Sequence, residues 1–205
     1  MLKILKPKNK KHSFFSKKFC QGLTLIEMLT VVSILVILSG IMFANYKNGN
    51  DALILDRVSQ KLAQDLRRTM GMAISGQGLS ANYNAYGIYF NTASNSSYIL
   101  FKNNTNKGTG NFTYSTSAPA DSIFEIINIE KGAKICELKN NGTVIGSGTV
   151  SVTAVPPTPA VYMDSAVNND DIYIVIAPEN ETNCSNPARK KVVKINNAGR
   201  IDITN

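Results

Sequence analysis

Glu27 is the residue whose chemistry most needs a partner. It is followed by Met28–Ala44 (MLTVVSILVILSGIMFA), a run without a charged side chain, and Leu23, Leu25 and Ile26 carry the apolar character back past it. An ionised carboxylate in such a stretch costs about 2.5–3.5 kcal/mol on membrane-insertion scales, so by default it is functional and requires a cation. A free amine on Leu23 would supply one, because positions 23 and 27 are spaced i and i+4 and project from one helical face. That amine exists only if the chain is cut after Gly22.

Other chemistry has less behind it. His12 is the only histidine and lies within the first 22 residues, so the remainder can hold no histidine triad or histidine metal site. There is no glycine-rich phosphate loop and no Cys-x-x-Cys pair. The sequence reads as non-enzymatic, with no cofactor and no metal. Asn168-Asn169-Asp170-Asp171 has the residue types of a calcium loop, but two acids in a polar loop are more often simply solvated. Triplets such as Asn141-Gly142-Thr143 fit an N-glycosylation acceptor, but in so asparagine-rich a chain they read as chance. Arg189, Lys190 and Lys191, with Lys194 and Arg200 across a predicted hairpin, form a candidate basic patch for DNA phosphates. A solvated strand end or an inter-subunit salt bridge accounts for it more simply, since no aromatics interleave the basic residues.

The formal net charge of +8 is mostly a local property. Seven lysines and no acid fall in residues 1–22, and beyond them 15 basic residues face 14 acids. The lysines precede a run long enough to cross a bilayer, at roughly 20 residues per crossing. They predict a cytoplasmic N-terminus, with residues after Asn45 facing outward. For a secretory signal the run is long, and Met42-Phe43-Ala44 is a poor cleavage site. A plain single-pass anchor is the other ordinary reading. Neither explains Glu27. Cys20 lies in the basic segment, leaving Cys136 and Cys184 in what reads as an exported domain. A bridge between them would close a loop of about 50 residues, worth about 4 kcal/mol in the chain-entropy model; the alternative is two buried thiols that never meet.

Beyond Ala44 the apolar residues Ile54, Val58, Leu62, Leu66, Met70 and Ala73 or Ile74 recur at helical spacing. Asp56, Arg57, Gln60, Lys61, Gln64, Asp65, Arg67 and Arg68 occupy the opposite face. No proline interrupts Leu23–Ser75, so one helix about 80 Å long is expected. Gly76 and Gly78 end it, and Gly40 and Asn45–Asn50 are its weakest points. Strands are expected at Tyr86–Phe90 and Ser97–Phe101 as a hairpin, and at Ile123–Ile129 and Ala133–Leu138 as a second pair. Further strands are expected at Thr149–Thr153, Ile172–Ala177, Val192–Asn196 and Arg200–Ile203, the last two as a hairpin. Loops are expected at Asn103–Asn111 and Pro156–Pro159.

Gly22-Leu23-Thr24-Leu25-Ile26-Glu27, between a basic leader and a long apolar run, resembles the type III signal of type IV pilins and type II secretion pseudopilins. The resemblance implies that a prepilin peptidase cleaves between Gly22 and Leu23 and N-methylates Leu23, and that Glu27 is the carboxylate needed for ordered assembly. Leucine replaces the family's usual phenylalanine at Leu23, the leader is long, and Ala44 stands about where many pilins have a helix-bending proline. The implied fold is α+β, a long N-terminal helix, its apolar half transmembrane, packed on a C-terminal antiparallel β-sheet domain. The implied organisation is a leader over 1–22, a transmembrane and assembly helix over 23–45, its amphipathic continuation over 46–78, and a β-rich head over 79–205.

The implied partners are the peptidase, other pilin or pseudopilin subunits, an inner-membrane assembly platform, and lipid before assembly. The implied location is the bacterial inner membrane, then a filament in the periplasm or at the cell surface. The pattern Val192-Val193-Lys194-Ile195 followed by Gly199-Arg200-Ile201 also resembles minor H-type pseudopilins. The function expected is a structural filament subunit; the alternative is a minor pilin acting as a DNA- or surface-binding tip. A glycine before the cut lets the backbone enter a protease pocket extended and unobstructed. Gly22→Ala is therefore expected to leave the chain at precursor size on a gel, and a mature-sized band would count against the cleavage site.

Overall fold

The computed structural model describes residues 24–104, 111–156, 160–163, 171–184 and 189–204. Helix α1 (Leu25–Ser75, 51 residues) is the first element. The chain divides into two compact units, residues 1–44 and 45–205. In the first, every described side chain from Leu25 to Met42 is exposed, and these 18 residues are apolar and long enough to cross a membrane. Thr30, Ser33 and Ser39 are the hydroxyl residues of this stretch, and each donates within the helix, to the carbonyls of Glu27 (2.9 Å), Leu29 (2.8 Å) and Leu35 (2.7 Å). Their polar groups are thus satisfied without water, as a lipid environment demands.

In the second unit α1 turns amphipathic, ends at Ser75, and is stopped by Gly76 and Gly78 at φ +62° and +72°. Ten strands accompany it: β1 (Tyr83–Asn91), β2 (Ser97–Asn104), β3 (Ser122–Asn128), β4 (Ala133–Asn140), β5 (Thr143–Val144), β6 (Thr149–Val155), β7 (Ala160–Met163), β8 (Asp171–Pro178), β9 (Lys191–Asn196) and β10 (Ile201–Thr204). They form two antiparallel sheets of five strands, in the orders β3-β2-β1-β6-β7 and β10-β9-β8-β4-β5. The α+β class, with a long N-terminal helix and an antiparallel β domain, is as expected, and the strands divide between two sheets.

The β1–β2 and β9–β10 hairpins are as expected. Ile123–Ile129 and Ala133–Leu138 do not pair. β3 adds to the outer side of β2, whereas β4 joins β8 in the other sheet. The cause is the connection at Glu130–Gly132. Gly132 takes φ +101°, and the backbone amides of Ile129 and Ile135 bond back to the carbonyls of Ser96 (2.8 Å) and Asn95 (2.9 Å), carrying the chain from one sheet to the other. Strands β5 and β7, of two and four residues, were too short to show a period.

One core draws on all three layers. It contains Ile54, Val58, Leu62 and Leu66 of α1, Ile88, Leu100 and Val152 of the first sheet, and Ile135, Ile174 and Val193 of the second. Each fully buried aliphatic side chain contributes about 1.5–3 kcal/mol. Exposed ion pairs such as Arg57–Glu130 (2.6 Å) and Arg68–Glu125 (2.9 Å) contribute at most about 1 kcal/mol each, so packing and not charge holds the helix down. Of the two residues that could close the apolar stripe, Ala73 is buried and Ile74 exposed.

Two close fits fix the strands. Gly87 of β1 faces Phe101 of β2 and Thr153 of β6. A Cβ on Gly87 would lie 2.5 Å from the Phe101 ring and 2.6 Å from the Thr153 hydroxyl, so the ring fills the space of the missing side chain. Asp65, expected on the polar face, is buried, and the Tyr98 hydroxyl of β2 donates to its carboxylate at 2.5 Å. Burial, and then this hydrogen bond, push the Tyr98 pKa well up from 10.0. The unfolded chain would release that proton above about pH 10 while the folded chain keeps it, so the pair's contribution is lost as pH rises. Tyr98→Phe strands the carboxylate and is expected to lower unfolding free energy by about 2–3 kcal/mol at pH 7. Denaturant titrations should show that difference shrinking above pH 10; a constant difference would exclude the linkage.

Candidate functional site

The start of α1 is built by Thr24. Its hydroxyl accepts from the Glu27 amide at 3.3 Å, and its carbonyl accepts from the amides of Glu27 (3.0 Å) and Met28 (3.2 Å). This is an N-cap: a side-chain oxygen satisfies an amide that the first turn leaves without a helical acceptor. Thr24-Leu25-Ile26-Glu27 has the Ser/Thr-x-x-Glu spacing of a capping box, the signal by which sequence reading could have placed the helix start.

Glu27 lies in the first turn and is exposed. Among the described residues no hydrogen bond or ion pair engages its carboxylate, while its backbone amide and carbonyl are both bonded. The positive end of the helix dipole favours an anion there by a few tenths of a kcal/mol, less than the cost of carrying it in an apolar span. The site therefore presents a fixed negative charge, open to an external cation, at the end of an apolar rod. Gly22 and Leu23 lie outside the described residues.

The predicted basic patch has a different character once its neighbours are in place. Arg189 contacts Asp51 (2.9 Å) and Glu181 (3.5 Å), and Lys191 contacts Asp56 (2.8 Å). Lys194 contacts Asp171 (2.7 Å), with its pKa raised first by that hydrogen bond, and Arg200 contacts Asp202 (3.0 Å). Four of the five cations thus face acids, two of them on α1. Asp51 and Asp56 are more than a hundred residues from Arg189 and Lys191 in sequence, which is why the patch looked unbalanced. Of the candidate calcium loop, residues 168–170 lie outside the described residues, and Asp171 is engaged by Lys194. Among the described residues no group of three or more histidine, cysteine or acidic side chains is placed to hold a metal.

Cys136 of β4 and Cys184 are joined by a disulfide, with Cα atoms 5.7 Å apart. The bridge ties the segment after β8 to the second sheet, and that segment carries Glu181, a partner of Arg189.

Residues 17–43 match the family model described as the prokaryotic N-terminal methylation motif. The chain therefore carries the signature of type IV pilins and pseudopilins, which implies processing by a prepilin peptidase and assembly with other pilin subunits, and which points to a structural subunit rather than an enzyme. With one apolar N-terminal span among the described residues, the chain fits a single-pass inner-membrane protein later assembled into a filament. No curated protein and no solved structure matches the chain significantly.

The bridge joins cysteines separated by 48 positions in sequence, a constraint worth about 4 kcal/mol in the chain-entropy model. Replacing both Cys136 and Cys184 by serine is expected to lower unfolding free energy by about 2–5 kcal/mol. Thiol titration of the native chain from Leu23 onward should find no free thiol without reductant and two with it.

Proposed function

We propose that the chain is a membrane-anchored filament subunit, cut by a prepilin peptidase between Gly22 and Leu23 and polymerised through its apolar helix into a type IV pilus or type II secretion pseudopilus. The observation that carries this reading is Glu27, an exposed carboxylate without a partner among the described residues, in the first turn of an 18-residue apolar span. Hydrolysis of the Gly22–Leu23 bond adds water, leaves a carboxylate on the leader and creates an ammonium on Leu23. That amine, N-methylated by the same peptidase, is the cation that Glu27 of a neighbouring subunit neutralises. The span is apolar on all sides, so it is compatible first with lipid and then with other helices. The lysines of the leader hold the N-terminus on the cytoplasmic side and the assembly platform there receives the subunit, while the unit from 45 onward faces outward.

The role is structural and not catalytic. A DNA-binding tip module is the weaker reading, since Arg189, Lys191, Lys194 and Arg200 each meet an acid. The H-type pseudopilin reading rests on the sequence pattern of β9 and β10. Glu27→Ala is expected to be processed at the normal rate yet be nearly absent from the sheared or pelleted filament fraction. Wild-type incorporation of that variant would refute the role given to Glu27.

A further inference from the structure

We propose that the free edge of β3 docks onto the β-rich head of a second copy of this chain; the inference rests on the filament reading above. Among the described residues four strands have one side unpaired, β3 and β7 in the first sheet and β5 and β10 in the second. Such an edge is a template for another strand, and proteins guard it by shortness, by proline or by charge. Three of the four are guarded. β5 has two residues, β7 has four and follows the prolines at 156, 157 and 159, and β10 has four and starts at the Arg200–Asp202 pair. β3 (SIFEIIN) has seven residues, with no lysine and no proline. Its one charge, Glu125, is neutralised by Arg68 of α1 at 2.9 Å.

The apolar side chains of this edge lie on both faces of the strand. Glu125 meets α1 and Ile127 enters the core, so Ile126 between them points to the opposite face, beside its register partner Ile99. Phe124 is the extra residue of a bulge between Ile123, opposite Phe101, and Glu125, opposite Leu100. It is held on the helix side, edge-on to Tyr86 at 5.9 Å between ring centroids and beneath the Arg68 guanidinium. Ile123, Phe124 and Ile126 nonetheless stay 50, 42 and 57% exposed. Only a partner that approaches in the plane of the sheet, along the edge, covers both faces at once. Beyond the bulge Glu125–Asn128 run in regular register with β2, which leaves an ordered backbone for that partner to pair with.

Size identifies the occupant. Three half-exposed side chains and so short an edge offer roughly a few hundred Å², well below the roughly 1,000 Å² that holds two free proteins together. The contact is therefore stable only with a partner already held alongside, at the high effective concentration that a second attachment supplies. In the proposed filament that attachment is the apolar helix of the next copy. Pairing β3 with β3 of another copy would be a two-fold contact that closes on itself, whereas a filament needs a head-to-tail one. The edge thus meets a different surface of the neighbouring head.

The test uses the full chain in cells that assemble it, with photoreactive benzoylphenylalanine at position 126. Irradiation of the filament fraction is expected to give a species of twice the chain's mass. Its cross-linked peptides should join residue 126 to a residue outside β3, within 45–205 of another copy. Separately, Ile126→Lys is expected to be processed normally yet to lower the filament fraction about tenfold, and Ile126→Val to restore it. Thermal unfolding and the Cys136–Cys184 bridge should be unchanged in both variants; if Ile126→Lys unfolds, the cross-link alone decides. Absence of the doubled species overturns the proposal, as do a cross-link to a different protein, a β3-to-β3 cross-link, or a wild-type filament yield from folded Ile126→Lys. If the wild-type chain forms no filament, the filament reading itself fails; if filaments form and residue 126 meets no second copy, only the docking proposal fails.

Discussion

A single helix has to satisfy two solvents, and most of the protein follows from that constraint. Over Leu25–Met42 every side is apolar and exposed, and the hydroxyl groups it carries are turned back onto its own carbonyls. From Asn50 onward the same helix offers one apolar face and one charged face. The first half can lie only in lipid or among other helices. The second half buries Ile54, Val58, Leu62 and Leu66 in a core of its own. Within this regime Glu27 is the exception, a carboxylate placed in a stretch where a charge is costly.

The unit from Asn45 onward shows how a modest domain anchors such a helix. Two sheets and the helix contribute to one core, so none of the three layers buries its apolar face without the others. Polar contacts set direction more than strength. Arg68 reaches β3 and Arg57 the β3–β4 connection, while Asp51 reaches Arg189 just before β9 and Asp56 reaches Lys191 at its start, so charges on both flanks fix the rotation of the helix about its axis. The Asp65–Tyr98 pair adds a buried reference point that tolerates one register only. The disulfide then secures the segment that carries Glu181, whose carboxylate meets Arg189.

What could be read from the sequence was what repeats locally. The apolar span, the i, i+4 stripe from Ile54 to Leu66 and the strands β1, β2, β6, β8, β9 and β10 all have short periods, and the structure contains them. Glu27 was legible because a charge in an apolar run breaks a pattern. Non-local facts were not legible. Which sheet receives β3 and which β4 depends on a turn at Gly132 and on bonds to Asn95 and Ser96, more than thirty residues before their partner. Asp65 looked like its charged neighbours because nothing near it in sequence reveals Tyr98. Asp51 and Asp56, which face Arg189 and Lys191, lie on a helix more than a hundred residues earlier. Thr24 stands between these cases, since its capping spacing was present beside a more conspicuous signal.

The Phe101 ring seated over Gly87 has a consequence for how this sequence can diverge. Neither residue is free to change alone: a side chain at 87 meets the ring, and a smaller residue at 101 leaves a void over the glycine. Drift at these positions must therefore pass through paired replacement, with bulk moving from one strand to the next while the total stays constant. Among related chains, a residue larger than glycine at 87 should appear together with a small one at 101 and a change at 153, where the Thr153 hydroxyl also crowds the glycine, a correlation that marks the register of β1 with both its neighbours.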